Sequence, residues 1–398
     1  MKSILYISFL NEDIRPGYKK KIHSQVNSFS KMGYDSYLLI ESAKGFRLYR
    51  VKNGIESIKK SIYLREEKND RQILSEFEQF YAFIVIAKKL IDKLEPEYVY
   101  IRRIVPITPS LIGLIRYIKT KGGSVIYEYP TLPWKEEMRK SAKKSIYRKL
   151  FYLCDLALYK ILYKQVDVIP YMGVYAGNDK KFIKIQNCGR EEDFPVVHPP
   201  LKRDKKEIRL IGVAHIAYVH GYDLVIEALG DYYKNNPNRE VHFDLVGTTN
   251  NPGAYIELIK QSGVEQYVHM HGFKVGDELD DLINNADIGV NALRVSEGQK
   301  KGGLTTLKTV EYTYRGLPQI NAAPLQIDGD GVDIPDFIFY VEDKIDISKI
   351  VCFYENLEIT PNQIREYAIN HFSWEAVYMK MFDKIKTRGL LTGGKEKR

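Results

Sequence analysis

Cysteine is scarce: the 398 residues contain 3, at Cys154, Cys188 and Cys352, with no metal-binding spacing between them. That sets aside a disulfide scaffold and a zinc module, and it suits a reduced, cytoplasmic compartment. Long apolar runs are lacking too. The longest, Leu150 to Tyr163, is broken by Asp155 and Lys160, short of the roughly 18 uninterrupted residues a membrane helix needs. The opening MKSILYISFLNED ends its apolar stretch in Asn11, Glu12 and Asp13, where a signal peptide would have small residues, so it reads as a first β-strand. The 28 Gly and 16 Pro have no period, and 44% hydrophobic residues exclude a disordered or collagen-like chain. GxSxG, HExxH, CxxC and Walker A sequences are absent, as is a DxD motif in the first-half loops. No metal is required by the motifs that remain.

The length is about two to three times that of a usual domain, which predicts two domains of similar size. Charge divides the chain the same way: residues 1 to 200 carry a net +14 and residues 201 to 398 a net −5. The basic half is the one expected to meet an anionic surface. Short apolar runs alternate with helix-length amphipathic segments, as in parallel sheets buried on both faces. Strands are expected at Ser3 to Phe9, Ser36 to Ile40, Tyr98 to Ile101, Val125 to Tyr129 and Val166 to Pro170. A second set is expected at Ile208 to Val213, Val241 to Val246, Val268 to His271, Ile288 to Ala292 and Gln319 to Asn321. The fold class is α/β with two doubly wound domains. The charged, proline-containing stretch 198–207 is the expected linker, and the tail from Leu391 is expected to fray.

Residues 212–229 read GVAHIAYVHGYDLVIEAL, followed by HFDLVG at 242–247, HGF at 271–273, NNADIGVNAL at 284–293 and LTTLKTVEYTYRGLPQINA at 304–322. A strand ending near Ala292, a loop with Arg294, Lys300, Lys301, Gly302 and Gly303, and a helix starting near Thr305 or Thr306 bring amides, hydroxyls and positive charge to one point. That combination is an anion site. Lys308 falls in the first helical turn, against the macrodipole, a cost offset when an anion binds there. A solvated surface lysine is the alternative. The first half adds RPGYKKKIHSQVNSFSKMGYDSYLL, VIYEYPTLPWKEE at 125–137 and KIQNCGREEDF at 184–194.

In order and spacing the series resembles the GT-B glycosyltransferases, specifically the retaining family 4 (glycosyltransferase group 1). The resemblance implies two Rossmann-like domains facing a central cleft. The acceptor-binding domain would span 1–197 plus 372–388, with a terminal helix anchored by Phe372 and Trp374; the nucleotide-sugar domain would span 208–371. It implies transfer of a sugar, from a UDP-sugar, to the hydroxyl of a glycan, lipid-linked or protein acceptor, with no metal or other cofactor, in bacterial surface polysaccharide or glycoconjugate synthesis. Donor contacts are implied at Gly17, His215, His220, Gly247, Gly303, Leu304, Thr305, Thr306, Leu307, Lys308 and Glu311. Acceptor-side residues would be Glu128, Tyr129 and Trp134, and catalytic roles fall to Lys308, Glu128 and His220, with Glu128 orienting the acceptor hydroxyl or else capping the following helix.

The sequence departs from the family twice. The first glutamate of the paired-glutamate motif would fall at Gly303, with Glu297 or backbone amides as substitutes, and His215 and His220 stand where many relatives have Arg and Lys. A neighbouring phosphate is expected to raise the pKa of His220. The first departure keeps open a non-catalytic partner subunit; a GT-B epimerase or phosphorylase is the further alternative. Residues 135–164 carry nine Lys/Arg and three acids, with Met138, Ala142, Ile146 and Leu150 recurring every four residues beside Arg139, Lys143 and Lys144. This predicts an amphipathic basic helix: a peripheral membrane contact, or an ordinary solvated helix. Nucleic acid is not expected, since no stacking platform accompanies the charge.

Overall fold

The computed structural model describes residues 2–13, 16–52, 54–63, 72–143, 145–173, 175, 177–194, 198, 206–235, 237, 239–327, 329 and 331–391. Contacts divide the chain into two units, 1–186 with 374–398, and 187–373. The first seam precedes the expected 197 because 187–194 pack into the second unit: Asn187 donates to the Thr305 carbonyl at 2.9 Å and Phe194 stacks on Tyr314. Of the expected linker, only His198, Lys206 and Glu207 are among the described residues.

The first unit runs β1 (Ser3–Asn11), α1 (Pro16–Lys31), β2 (Asp35–Ser42), β3 (Gly45–Lys52), β4 (Ile55–Tyr63), α2 (Gln72–Leu94), β5 (Tyr98–Arg102), α3 (Pro109–Thr120), β6 (Ser124–Leu132), α4 (Trp134–Ala142), α5 (Ile146–Gln165), β7 (Ile169–Gly173) and β8 (Phe182–Lys184). Its eight strands are ordered β4-β3-β2-β1-β5-β6-β7-β8, with β3 antiparallel to both β2 and β4 and every other pairing parallel. Ile4, Leu5, Tyr6 and Ile7 are all fully buried, as a central strand covered on both faces requires.

The single helix expected over 135–164 is two. Ser145 caps the start of α5, its hydroxyl accepting from Tyr147 N–H, as a short polar side chain does where a helix begins. The face assignment changes with it. Met138 packs on the core, but Ile146, Leu150, Leu153 and Ile161 are exposed. The buried residues of α5 are Leu162 and Asp155, with Tyr152, Leu158, Tyr159 and Tyr163 packed against the core beside them. The Asp155 carboxylate accepts from Ile107 N–H and from Arg103, both at 2.6 Å, tying the helix to the loop after β5.

The second unit runs β9 (Glu207–Val213), α6 (Tyr222–Tyr233), β10 (Glu240–Val246), α7 (Pro252–Gln261), β11 (Val268–Gly272), α8 (Asp277–Asn285), β12 (Ile288–Val290), α9 (Glu297–Gly302), α10 (Leu307–Arg315), β13 (Gln319–Asn321), β14 (Leu325–Ile327), β15 (Gly331–Asp333), β16 (Ile338–Tyr340), α11 (Ile347–Glu355) and α12 (Pro361–His371); α13 (Trp374–Thr387) belongs to the first unit. The sheet order β11-β10-β9-β12-β13-β16 is all parallel. The direction of winding reverses between β9 and β12, and the loops leaving those two strands therefore diverge and open a binding crevice. Phe372 lies in the second unit's core with Phe194 and Tyr314, so of the two expected anchors Trp374 alone belongs to α13, packed against Tyr378 and fully buried, beside the buried Val377, Met381 and Ile385. Among the described residues no helix is long and apolar enough to cross a membrane.

Candidate functional site

The loop after β9 turns into α6 at Gly221, which has φ +65°; a Cβ there would lie 2.9 Å from Leu293 Cβ. Only glycine accepts both the backbone angle and that approach without strain. The loop leaving β12 is laced to it, with Leu293 N–H donating to the His220 carbonyl at 3.1 Å and Arg294 N–H to that of Val219 at 3.2 Å. Arg294 is occupied in the same lacing: it grips Asp223 through two hydrogen bonds and donates to the Tyr218 carbonyl. The turn before α6 is thus held rigidly, and His220 is held with it.

His220 and Lys308 meet on Tyr222. The imidazole stacks on the Tyr222 ring with centroids 5.4 Å apart, while Lys308 Nζ donates to the Tyr222 hydroxyl at 2.9 Å and lies 5.1 Å from the ring centroid. Burial pushes the Lys308 pKa down to about 7. Burial, and then the neighbouring Lys308 charge, pushes His220 down to about 4. Ala217 N–H donates to His220 Nδ1 at 3.0 Å, so that nitrogen is unprotonated and Nε2 carries the hydrogen. In the free protein His220 is therefore a neutral Nε2–H donor, and Lys308 beside it is the group that titrates near neutrality. His215 is exposed and hydrogen-bonds the Thr248 hydroxyl at 3.0 Å.

α10 begins at the same point. Thr306 caps it, accepting from Thr309 N–H at 3.0 Å. Both threonine hydroxyls also donate to Asn291 Oδ1, at 3.1 and 3.2 Å, and Asn291 Nδ2 donates to Gln319 and Asn321 at 2.7 Å each. The hydroxyls expected to face an anion are therefore consumed inside the network. What remains toward a ligand is the helix start itself, where the N–H groups of Leu307 and Lys308 have no intrahelical acceptor, together with Lys308 Nζ and His220 Nε2. Partial positive charge on a helix start and a lysine convertible to its cation are features that suit an anion.

Neighbouring expected contacts divide by role. Gly303 has φ +72°, and a Cβ there would lie 2.8 Å from the backbone of Gln326; a glutamate cannot occupy that position without displacing β14. Leu304 N–H donates to the Pro324 carbonyl at 2.8 Å and Thr305 Oγ1 to that of Gln326 at 2.7 Å, so these residues brace the loop. Leu307 is 53% exposed. Gly247 has φ +128°, and a Cβ would lie 1.7 Å from the Ala214 carbonyl oxygen, which makes it a packing glycine under the β9 loop. Glu311 accepts from Arg315, which also pairs with Asp280. Glu297 is exposed, 3.8 Å from Lys300.

In the first unit Gly17 falls inside the first turn of α1, which begins at Pro16 rather than near Lys19. The acceptor-side expectation is corrected. Glu128 is fully buried, paired with Arg102 at 2.8 Å, and accepts from Tyr100 at 2.9 Å, Gln25 at 3.2 Å and Tyr6 at 3.4 Å. No acceptor hydroxyl reaches it. Tyr129 and Trp134 are 1% and 4% exposed, both lying against the Arg103 guanidinium, and they are core residues. Among the described residues no group of three His, Cys, Asp or Glu is placed to hold a metal. Sequence reasoning passed over Tyr222, which is fully buried yet bonds Lys308, and Asn291, 2% exposed, which fixes the α10 cap. The aromatic after Gly221 and the Asn closing the β12 run were the signals available.

Residues 193–326 match the model of the family described as glycosyl transferases group 1. Among solved structures, the chain is similar to a glycosyltransferase from Rickettsia africae ESF-5 (12% identity, 99% of each chain, TM-score 0.58). It is similar to a sucrose-phosphate synthase from Thermosynechococcus elongatus (14% identity, 98% of this chain and 99% of that one, TM-score 0.58). A third is HepE of Anabaena in complex with UDP (11% identity, 97% of this chain and 100% of that one, TM-score 0.51). At these identities the likeness establishes the fold, which is GT-B. A comparison with curated proteins gave no match.

Proposed function

We propose that this chain, whose residues 193–326 match the group 1 glycosyl transferases, moves a sugar from a nucleoside diphosphate sugar, a UDP-sugar, to an acceptor hydroxyl with retention of configuration, in synthesis of a bacterial surface glycan. The observation that carries the reading is the convergence of Lys308, His220 and the α10 start on Tyr222 at the β9/β12 reversal. As the C1–O bond to the diphosphate breaks, negative charge grows on the leaving oxygen, and Lys308 Nζ, His220 Nε2–H and the α10 amides stabilise it without a metal. The acceptor oxygen attacks the oxocarbenium-like carbon from the face the diphosphate leaves, and its proton passes to a departing phosphate oxygen. Glu128 has no part in this scheme. A panel of nucleotide sugars, with and without chelator, is the test: slow hydrolysis of one UDP-sugar that chelator leaves unchanged is expected. UDP binding without turnover across the panel would favour the non-catalytic subunit, the second reading, which Gly303 supports because that backbone position excludes a carboxylate.

The pH dependence follows from Lys308. An arriving diphosphate raises its pKa above the free value of about 7, so binding takes up a proton between the two values. Affinity is complete below the free value and falls about tenfold per pH unit above it, until the bound value is passed. UDP titrations from pH 6 to pH 9 check this. Because His220 is neutral throughout that range in the free protein, the proton uptake is carried by Lys308, and His220→Gln is expected to lower affinity while leaving most of the pH slope in place.

The outward face of α5 supports a peripheral contact with an anionic membrane. Ile146, Leu150, Leu153 and Ile161 are exposed along it, flanked by exposed Lys149, Lys160 and Lys164. Each lysine at such a surface contributes about 1 kcal/mol. Converting all three to Gln is expected to weaken cosedimentation with phosphatidylserine vesicles on the order of a hundredfold at low salt, while UDP affinity holds. Unchanged vesicle binding would remove the membrane role.

A further inference from the structure

A pocket of about 450 Å³ lies between the loop after β9 and the start of α7, lined by Tyr218, Asp223, Asn250, Asn251, Tyr255 and Leu258 among others. None of His220, Thr306 or Lys308 lines it, so it is separate from the diphosphate point. Its size is within the range of small-molecule sites.

The walls are fixed in advance. Ile216 N–H donates to the Thr248 carbonyl at 2.7 Å, joining the β9 loop to the β10 loop. Tyr218 is 79% exposed, yet the Arg294 guanidinium lies 4.0 Å from its ring centroid. Arg294 is itself clamped by Asp223 at 2.7 and 2.5 Å. A large aromatic held in water by a clamped cation is a ready platform for a ring. Asn251 Oδ1 accepts from Ala254 N–H at 3.2 Å to cap α7, which fixes the side-chain amide at the rim.

The chemistry of the lining selects the ligand. Among the described residues no Lys or Arg lines the pocket, which disfavours a phosphate. The Asp223 charge is matched by Arg294, which disfavours a free cation. What remains is two aromatic rings, the apolar Ile216, Leu258 and two alanines, the Thr249 side chain and the amides of Asn250 and Asn251. An apolar C–H face with hydroxyls around its edge, the pattern of a pyranose, fits rings plus amides. We propose that this pocket binds one pyranose unit of a glycan chain. The transferase reading supplies the source of that chain, as acceptor or product, and nothing else in the argument depends on it.

Ligand-observed saturation-transfer NMR tests the pocket, using methyl pyranosides of glucose, galactose and N-acetylglucosamine, the malto- and chito-trioses, and uridine as a nucleoside control. At least one triose is expected to bind more tightly than its methyl pyranoside. Tyr218→Ala and Tyr255→Ala are each expected to weaken that binding about tenfold, the scale of one lost aromatic contact, with UDP affinity within about twofold of wild type. Tyr218→Ala carries the test if Tyr255→Ala does not fold, because the Tyr218 side chain is largely in solvent. Triose binding that neither substitution weakens, a monosaccharide binding as tightly as its triose, or preferential binding of uridine in the pocket would each overturn the proposal. Absence of UDP binding in wild type would instead count against the transferase reading, and the same samples report it.

Discussion

Replacing Lys308 by methionine is expected to slow transfer or donor hydrolysis by about 10²–10³-fold at saturating donor, corresponding to about 3–4 kcal/mol of lost transition-state stabilisation. Methionine keeps the length and apolar stem of the side chain, so α10 has no cavity to fill. Among the described residues, the only hydrogen bond lost is the one to the Tyr222 hydroxyl. That hydroxyl also donates to the Val290 carbonyl at 3.3 Å and stays satisfied. Because Lys308 titrates at about 7 through burial, its removal takes away a costly buried cation, and folding stability is expected to hold or rise. A single-turnover rate measured beside a urea melt separates the two effects. Equal loss of rate and stability would mean that Lys308 acts only through packing.

Breaking the Arg102–Glu128 pair is expected to cost about 3–5 kcal/mol of folding stability, the usual scale when one member of a buried pair is removed. Arg102 is 2% exposed and Glu128 fully buried, on adjacent strands in register. In Arg102→Met the carboxylate keeps only Tyr100, Gln25 and Tyr6, three neutral donors facing a full charge. The double variant Arg102→Met, Glu128→Leu is expected to recover most of the loss, since a well-packed apolar replacement of the whole pair is often neutral. Urea unfolding of the three variants gives the coupling energy directly. Glu128→Gln distinguishes the structural role from a catalytic one: stability falls while the folded fraction keeps its turnover. A catalytic glutamate would give the opposite result.

The two sheets were legible because buried parallel strands leave short Val/Ile/Leu runs, and Gln319–Asn321 was read with its observed bounds. The β3–β4 hairpin was also legible and was missed: Asn53-Gly54 between GFRLYRVK and IESIKKSIY is a strong hairpin signal. The inward face of α5 was not legible. Its anchor is Asp155, whose partners Ile107 and Arg103 lie some fifty residues away, and a four-residue period cannot reveal a buried acid. Glu128 was misread for the same reason, because its neutralising Arg102 becomes its neighbour only once β5 and β6 pair. The order of motifs singled out Lys308 and His220, which the structure brings together on Tyr222. The protonation pattern came from burial and from one backbone N–H at Ala217. Gly303 looked like a lost glutamate; its positive φ and the close backbone of Gln326 show a position where no side chain fits.

Proton uptake on UDP binding, measured by calorimetry at pH 8 in Tris and in HEPES, tests the proposed diphosphate site most directly. With the free lysine titrating at about 7, most molecules are neutral at that pH, and binding is predicted to draw in close to one proton, about 0.9 if the bound value lies well above pH 8. The observed heat must then differ between the buffers by nearly the difference in their ionisation enthalpies. Lys308→Met is predicted to bind more weakly, with the same heat in both. Equal heats for wild type, or undiminished uptake in Lys308→Met, would contradict the assignment of Lys308 as the cation that meets the diphosphate.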